Sequence, residues 1–181
     1  MLIRPARASD ADAIGALWLK LVMHHRQLDP NMPKPTPDGA YHYARRIRDQ
    51  IDDPYTKVFV AVDEESDAVV GYVMGIIIDL LPEMFQEERG GFLADIFVEH
   101  SQRGRGTGKS LVKALRNWFA GRGVERYEWY VAAANLQAQG FWRAMGGREV
   151  MIRMRAEIDI DIDGDSDPYD RDSSQFDRED G

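Results

Sequence analysis

Three glycines and a run of unopposed positive charge mark the part of this chain best equipped for chemistry. Gly104, Gly106 and Gly108 alternate with Arg105 and Thr107, and Lys109 and Ser110 follow. A residue without a Cβ lets the backbone turn tightly and come close to a ligand. The residues from Phe92 to Val98 read as a buried strand, and those after the glycines read as an amphipathic helix. The first N–H groups of such a helix have no partner inside it, and the helix dipole adds partial positive charge at the same place. Between Ser101 and Val124 stand six basic residues (Arg103, Arg105, Lys109, Lys113, Arg116 and Arg122) and no acidic one. These features suit the capture of a multiply charged phosphate.

Spacing narrows the choice of phosphate ligand. A nucleotide-hydrolase loop needs a glycine where Arg103 stands, because Gly108-Lys109-Ser110 would have to close it. A dinucleotide fingerprint needs a third glycine where Lys109 stands. Arg103-x-x-Gly106-x-Gly108 does fit a known pattern. It resembles the (Gln/Arg)-x-x-Gly-x-(Gly/Ala) loop with which GCN5-related N-acetyltransferases (GNAT) cradle the pyrophosphate of coenzyme A. A second stretch, Asn135-Leu-Gln-Ala-Gln-Gly-Phe-Trp-Arg-Ala-Met-Gly146, is similar to the family's Asn-x-x-Ala-x-x-Phe-Tyr-x-x-x-Gly helix through Asn135, Ala138, Phe141 and Gly146.

The resemblance implies direct transfer of an acetyl group from acetyl-CoA, as co-substrate, to a primary amine on a small molecule or peptide. It places Ile96, Phe97 and Val98 along the pantetheine. Arg103, Gly104, Arg105, Gly106, Thr107, Gly108 and Lys109 surround the pyrophosphate, and Asn135, Phe141 and Trp142 lie against the pantetheine arm. Trp142 stands where many members have the tyrosine credited with protonating the departing thiolate. An indole N–H donates a hydrogen bond but does not release its proton. A thiol of pKa near ~8.5 can leave largely as thiolate. Alternatively, Trp142 is a core residue of its helix.

The base that takes the amine's proton is harder to place. Polyamine-acetylating relatives carry Leu-Glu-Asp-Phe-Phe-Val in the central strand. Here the stretch is Leu93-Ala94-Asp95-Ile96-Phe97-Val98, with Ala94 in the glutamate's place. Strict alternation puts Asp95 on the opposite strand face from Ala94. Asp95 is either a catalytic carboxylate lining the cleft, directly or through water, or a hydrogen-bonded structural one. Asp79, Glu83 and Glu87, and His24 or His25, are further candidates, the two histidines being disfavoured because a histidine on an apolar helix is ordinarily a satisfied surface or core residue. The resemblance also allows ordered water in place of a dedicated base. Ala94 and Trp142 together motivate a second reading, a non-catalytic acyl-CoA-binding domain.

These residues must be positioned by elements that can be read in order. Leu2–Ala6 reads as a first strand, an edge because of Pro5. Ser9, with Asp12 three residues on, begins a helix whose apolar positions are Ile14, Leu17, Trp18, Leu21 and Val22. Residues 28–39 hold four prolines and form a loop. A second helix runs from Gly39 to Ile51 with Tyr43 and Ile47 inward. Thr56–Val62 and Ala68–Ile78 form a hairpin, and 80–91 is a polar connection. Glu128–Ala132 reads as a strand, Asn135–Met145 as a helix stopped by Gly146-Gly147, and Glu149–Ile158 as a last strand. This order is that of the GNAT fold. It is an α/β (α+β) architecture with a mixed, mostly antiparallel twisted sheet of six to seven strands, helices on both faces, and a splay between the two central parallel strands.

At 181 residues and 44% apolar composition, the chain suffices for one core. The acetyltransferase domain is expected over 1–157, with an acidic tail over 158–181. The body balances 21 acids against 21 bases, and the tail's ten acids and two arginines give the net −8. A neutral body with its positive charge confined to the glycine corner argues against a nucleic-acid face. No apolar run has the length of a membrane span. The chain has no cysteine, which removes disulfides and thiolate metal sites and agrees with a cytoplasmic protein. The family also allows a homodimer through outer strands. Asp159 to Asp170 spaces its carboxylates like a calcium loop, but Ser166 and Asp170 depart from that pattern. A solvated tail is the preferred reading, a calcium-dependent interaction module the remaining one, and no metal is expected.

Overall fold

Alternating apolar residues in four segments build a sheet with two buried faces. The computed structural model describes residues 1–79 and 89–158. Its strands are β1 (Leu2–Pro5), β2 (Thr56–Val62), β3 (Val69–Asp79), β4 (Arg89–Val98) and β5 (Tyr127–Glu128). They lie in the order β1-β2-β3-β4-β5. The first four pair antiparallel, and β4 pairs with β5 in parallel. Pro5 sits on the edge strand, where a missing N–H costs no ladder bond. All helices and strands of the described residues lie in a compact unit from Met1 to Gly147.

Helices α1 (Ala11–Leu28) and α2 (Gly39–Gln50) cover one face of the sheet. Ile14 and Leu17 of α1, with Tyr43, Ala44 and Ile47 of α2, pack on Val58, Val60, Val62, Tyr72, Met74 and Phe97. The other face carries α3 (Thr107–Ala120) and α4 (Leu136–Ala144). There Leu111, Leu115 and Phe119 of α3 and Trp142 of α4 meet Ala61, Val73 and Leu93. Helix α3 lies so close to β3 that a Cβ on Gly75 would come within 2.5 Å of Leu115 Cδ1. Only glycine permits that approach.

Three expectations are corrected. Of the six to seven strands, five are present among the described residues. Of the run Glu128–Ala132 only Glu128 is in a strand, together with Tyr127 in β5, and residues 149–158 form no strand. Both runs are rich in β-branched, aromatic and long apolar residues, but strand propensity needs a neighbouring strand to pair with. The cap of the first helix also differs. Ser9 lies in a short 3-10 turn, Ala8–Asp10, where the Asp10 carboxylate accepts from Arg7 N at 2.7 Å. Arg4 grips the same carboxylate with Nη1 at 2.6 Å and Nη2 at 2.9 Å. Asp12 instead pairs with Arg48 of α2 at 2.6 Å.

The third correction concerns β4. Leu93 pairs with Gly75 and Asp95 with Met74, so Ala94 has no partner on β3 and forms a bulge. An extra residue reverses the side-chain phase. Ala94 packs against the α1–α2 core, and Asp95 accepts a hydrogen bond from Tyr43 of that core. Ile96 then faces the α3–α4 core and Phe97 the α1–α2 core. Ala94 and Asp95 therefore share a face, contrary to strict alternation.

Of the earlier candidates, Glu83, Glu87 and the calcium-like stretch Asp159–Asp170 lie outside the described residues, and Asp79 closes β3.

Candidate active site

The parallel strands part almost as soon as they meet. Only Gly91 with Tyr127 and Phe92 with Glu128 are in register, and the chains then diverge. The fork opens a cleft of about 560 Å3. One wall is Leu93 to Val98 of β4, the other Trp129 to Ala132 beyond β5. Past Phe92, no ladder among the described residues uses the backbone N–H and C=O groups on this side of β4. The bulge at Ala94 falls inside this unpaired stretch, so the amides around it face the cleft without a strand partner.

The glycine corner closes one end. Gly104 and Gly106 have φ of 76° and 85°, a backbone region that glycine enters without penalty. Gly106 is the N-cap of α3, and no side chain caps that helix. Nothing lies within 4 Å of a Cβ placed on Gly106, so the first N–H groups of α3 open onto free space. An anion fits there: unpartnered donors, positive dipole end, and Lys109 and Arg103 on the same cleft wall. Arg103 is fixed by Nε donating to Val98 O at 3.1 Å, and its guanidinium lies 5.5 Å from the centre of the Phe97 ring. Thr107 is buried, and its hydroxyl donates to Gln102 O at 3.4 Å.

Helix α4 forms the far wall. Asn135 is its N-cap, with Oδ1 accepting from Ala138 N at 3.0 Å. Trp142 is buried against Trp129, with ring centres 4.5 Å apart, and against Phe141 at 4.9 Å. Of the residues singled out in the sequence, Asp95, Ile96, Phe97, Val98, Arg103, Gly104, Gly106, Thr107, Gly108, Lys109, Asn135, Phe141 and Trp142 all line this one cleft. Arg105 is exposed on the corner and does not.

Asp95 lies beside the bulge, where Tyr43 Oη donates to its Oδ2 at 2.7 Å. Burial pushes its carboxyl above the ordinary range, opposed by the Tyr43 bond and the Arg46 charge. Burial likewise pushes the hydroxyls of Tyr43 and Tyr72 well up, so both stay protonated. The Tyr72 hydroxyl, near that of Tyr43, has no partner of hydrogen-bonding geometry among the described residues.

His24 and His25, disfavoured from sequence as candidates for the base, both line the cleft. Burial lowers each imidazole below its usual value; Arg103 and His100 add to this at His24, and His24 adds to it at His25. A signal for them was present. Leu21, His24 and His25 continue by helical spacing the face that carries buried Ile14 and Leu17 and half-buried Trp18.

The sequence matches the acetyltransferase (GNAT) family over residues 20–146. It is 31% identical over 123 residues to an L-ornithine N5-acetyltransferase of Arabidopsis thaliana, taking in 66% of this chain and 50% of that protein. The chain thus spans about half the length of the curated relative it matches. Among solved structures, a mutant BH1408 protein from Bacillus halodurans matches with a TM-score of 0.78 at 20% identity, over 87% of this chain and 99% of that one. An aminoglycoside N-acetyltransferase in complex with CoA matches with a TM-score of 0.64 at 20% identity, over 87% and 94%. Likeness at that identity speaks for the fold.

Proposed function

This chain belongs to the acetyltransferase (GNAT) family, and we propose that it transfers the acetyl group of acetyl-CoA to a primary amine. The observation that carries the reading is the single cleft running from the uncapped N-terminus of α3 to the bulge at Ala94. A diphosphate anchored on the amides after Gly106 lets an extended thioester arm lie in the fork between β4 and Trp129–Ala132. Arg103 and Lys109 add charge at the anchored end. Asn135, Phe141 and Trp142 form the wall along the arm, and Ile96, Phe97 and Val98 form its floor.

The acyl carbonyl then reaches the bulge, where an unpaired backbone N–H polarises it. Stabilising the developing oxyanion and holding the amine close supply the rate enhancement. Asp95, on the α1–α2 side of the bulge, meets the incoming amine and holds its positive charge. That carboxylate favours a cationic small molecule, or the amine of a peptide, as acceptor. The curated relative acts on ornithine and the structural neighbour on aminoglycosides, both amines. The absence of cysteine from the sequence fits work in the cytoplasm.

The test is release of free thiol from acetyl-CoA in the presence of an amine panel containing ornithine, diamines, aminoglycosides and peptide N-termini. Amine-dependent thiol release supports the proposal. Tight acetyl-CoA binding without turnover on any amine overturns it in favour of a binding domain.

A further inference from the structure

A transferred acetyl group leaves a proton to be disposed of, and the bulge residue, Ala94, brings no carboxylate to the cleft. Two chemistries remain on the α1–α2 side of the cleft: the Asp95 carboxyl and the two imidazoles of α1. Asp95 is committed to Tyr43 at 2.7 Å. That bond fixes the carboxylate on the acceptor side, where it is suited to holding an ammonium.

The two histidines are not equivalent. His24 feels the charges of Arg103 and His100, which places it toward the glycine corner. His25 continues the stripe of Trp18, seven residues earlier on α1. Trp18 stacks on Tyr43 at 5.0 Å, and Tyr43 bonds Asp95, so this stripe runs along the acceptor side of the cleft. His25 also lies in the last turn of α1, where its carbonyl accepts from Asp29 N at 2.9 Å. The negative end of the helix dipole there favours an imidazolium once it forms.

We propose that His25 takes the proton lost by the acceptor amine as its nitrogen bonds to the acyl carbon. The amine lone pair forms the N–C bond, and the C–S electron pair leaves with sulfur as thiolate. The N–H proton passes to the free ring nitrogen of His25, which returns it to water. An amine arriving as ammonium releases one further proton to solvent beforehand. The proposal rests on the acetyl-transfer reading above. The charged group that acts on His25 is His24 of the same helix; Arg103 and His100 act on His24, and Tyr43 and Arg46 of α2 act on Asp95. Because burial holds His25 neutral at pH 7, it is ready to accept a proton without first losing one.

The experiment measures kcat/KM for the amine against pH in the full chain, beside acetyl-CoA affinity. The unmodified protein should lose activity below the depressed imidazole value, as His25 becomes protonated. His25→Gln should lower kcat about 100-fold or more, abolish that acid limb and leave acetyl-CoA affinity unchanged. Added imidazole should restore turnover to His25→Ala, which a purely structural role would not allow. His24→Gln should keep the acid limb. A His25→Gln protein with full turnover and an intact limb overturns the proposal, as does loss of the limb in Asp95→Asn alone. Failure of the unmodified protein to release thiol at all overturns the acetyl-transfer reading and this proposal with it.

Discussion

Tyr43 donates its hydroxyl to Asp95 across 2.7 Å, tying α2 to β4 directly after the bulge. The bond determines how the carboxyl responds to pH. Burial raises its pKa, so the folded chain holds this proton more tightly than the unfolded chain does. A group of that kind lowers stability as pH rises from the unfolded carboxyl value through the raised folded one. Asp95→Asn removes the cost and still accepts from Tyr43. The variant should melt higher than the unmodified protein at pH 7, and the gap should close at acid pH. Its turnover should nevertheless fall, because the amine loses its carboxylate. Tyr43→Phe should do the reverse, destabilising by about 1.5–3 kcal/mol as a buried charge-holding group loses its donor. Thermal melts across pH, paired with thiol release, check both.

The glycine corner can be separated from ordinary backbone strain. Gly106 and Gly123 both have positive φ, 85° and 74°, with nothing within 4 Å of an added Cβ. Alanine at either should cost about 1–2 kcal/mol of stability through the left-handed conformation alone. Only Gly106→Ala places a methyl at the mouth of α3. It should weaken acetyl-CoA binding at least tenfold, while Gly123→Ala binds normally. Calorimetric titration of both proteins checks this.

The carboxylate of Asp10 behaves in the opposite sense to that of Asp95. The Arg4 guanidinium, backed by the Arg7 amide, holds it below the usual range. Stability from such a group is present above the unfolded carboxyl value and disappears as pH falls through the folded one. Asp10→Asn should therefore cost about 2 kcal/mol at pH 7. The difference should fade in acid. Urea unfolding at several pH values measures it. Acetyl-CoA binding should survive, because Asp10 lies outside the cleft.

Much of this arrangement was legible in the sequence, for identifiable reasons. The ridges Ile14–Leu17–Leu21 and Tyr43–Ile47 follow the helix period, and the glycines at 104 and 106 mark a corner no other residue type makes cheaply. What escaped depends on partners distant in sequence. The bulge at Ala94 exists because Gly75 and Met74 of β3 take Leu93 and Asp95, and nothing in the β4 residues announces it. Trp129, Tyr130 and Val131 have strand-like composition, yet they diverge from β4 and become a cleft wall. His24 and His25 were readable from their spacing on α1, but a histidine's type alone does not distinguish a cleft from a core.

Trp142 tests whether an acid is needed for the departing sulfur. Its indole is buried between Trp129 and Phe141, in the α3–α4 core. An indole cannot supply a proton, so its contribution is shape and hydrophobic burial. Trp142→Phe should keep kcat within about threefold while losing roughly 1–2 kcal/mol of stability to the unfilled volume. Trp142→Ala should lose about 3–5 kcal/mol and bind acetyl-CoA poorly, because the wall along the arm collapses. If instead kcat in Trp142→Phe fell a hundredfold at unchanged acetyl-CoA affinity, the indole N–H would have to contact the thiolate directly. Urea unfolding, calorimetry and thiol release on the two variants separate these outcomes.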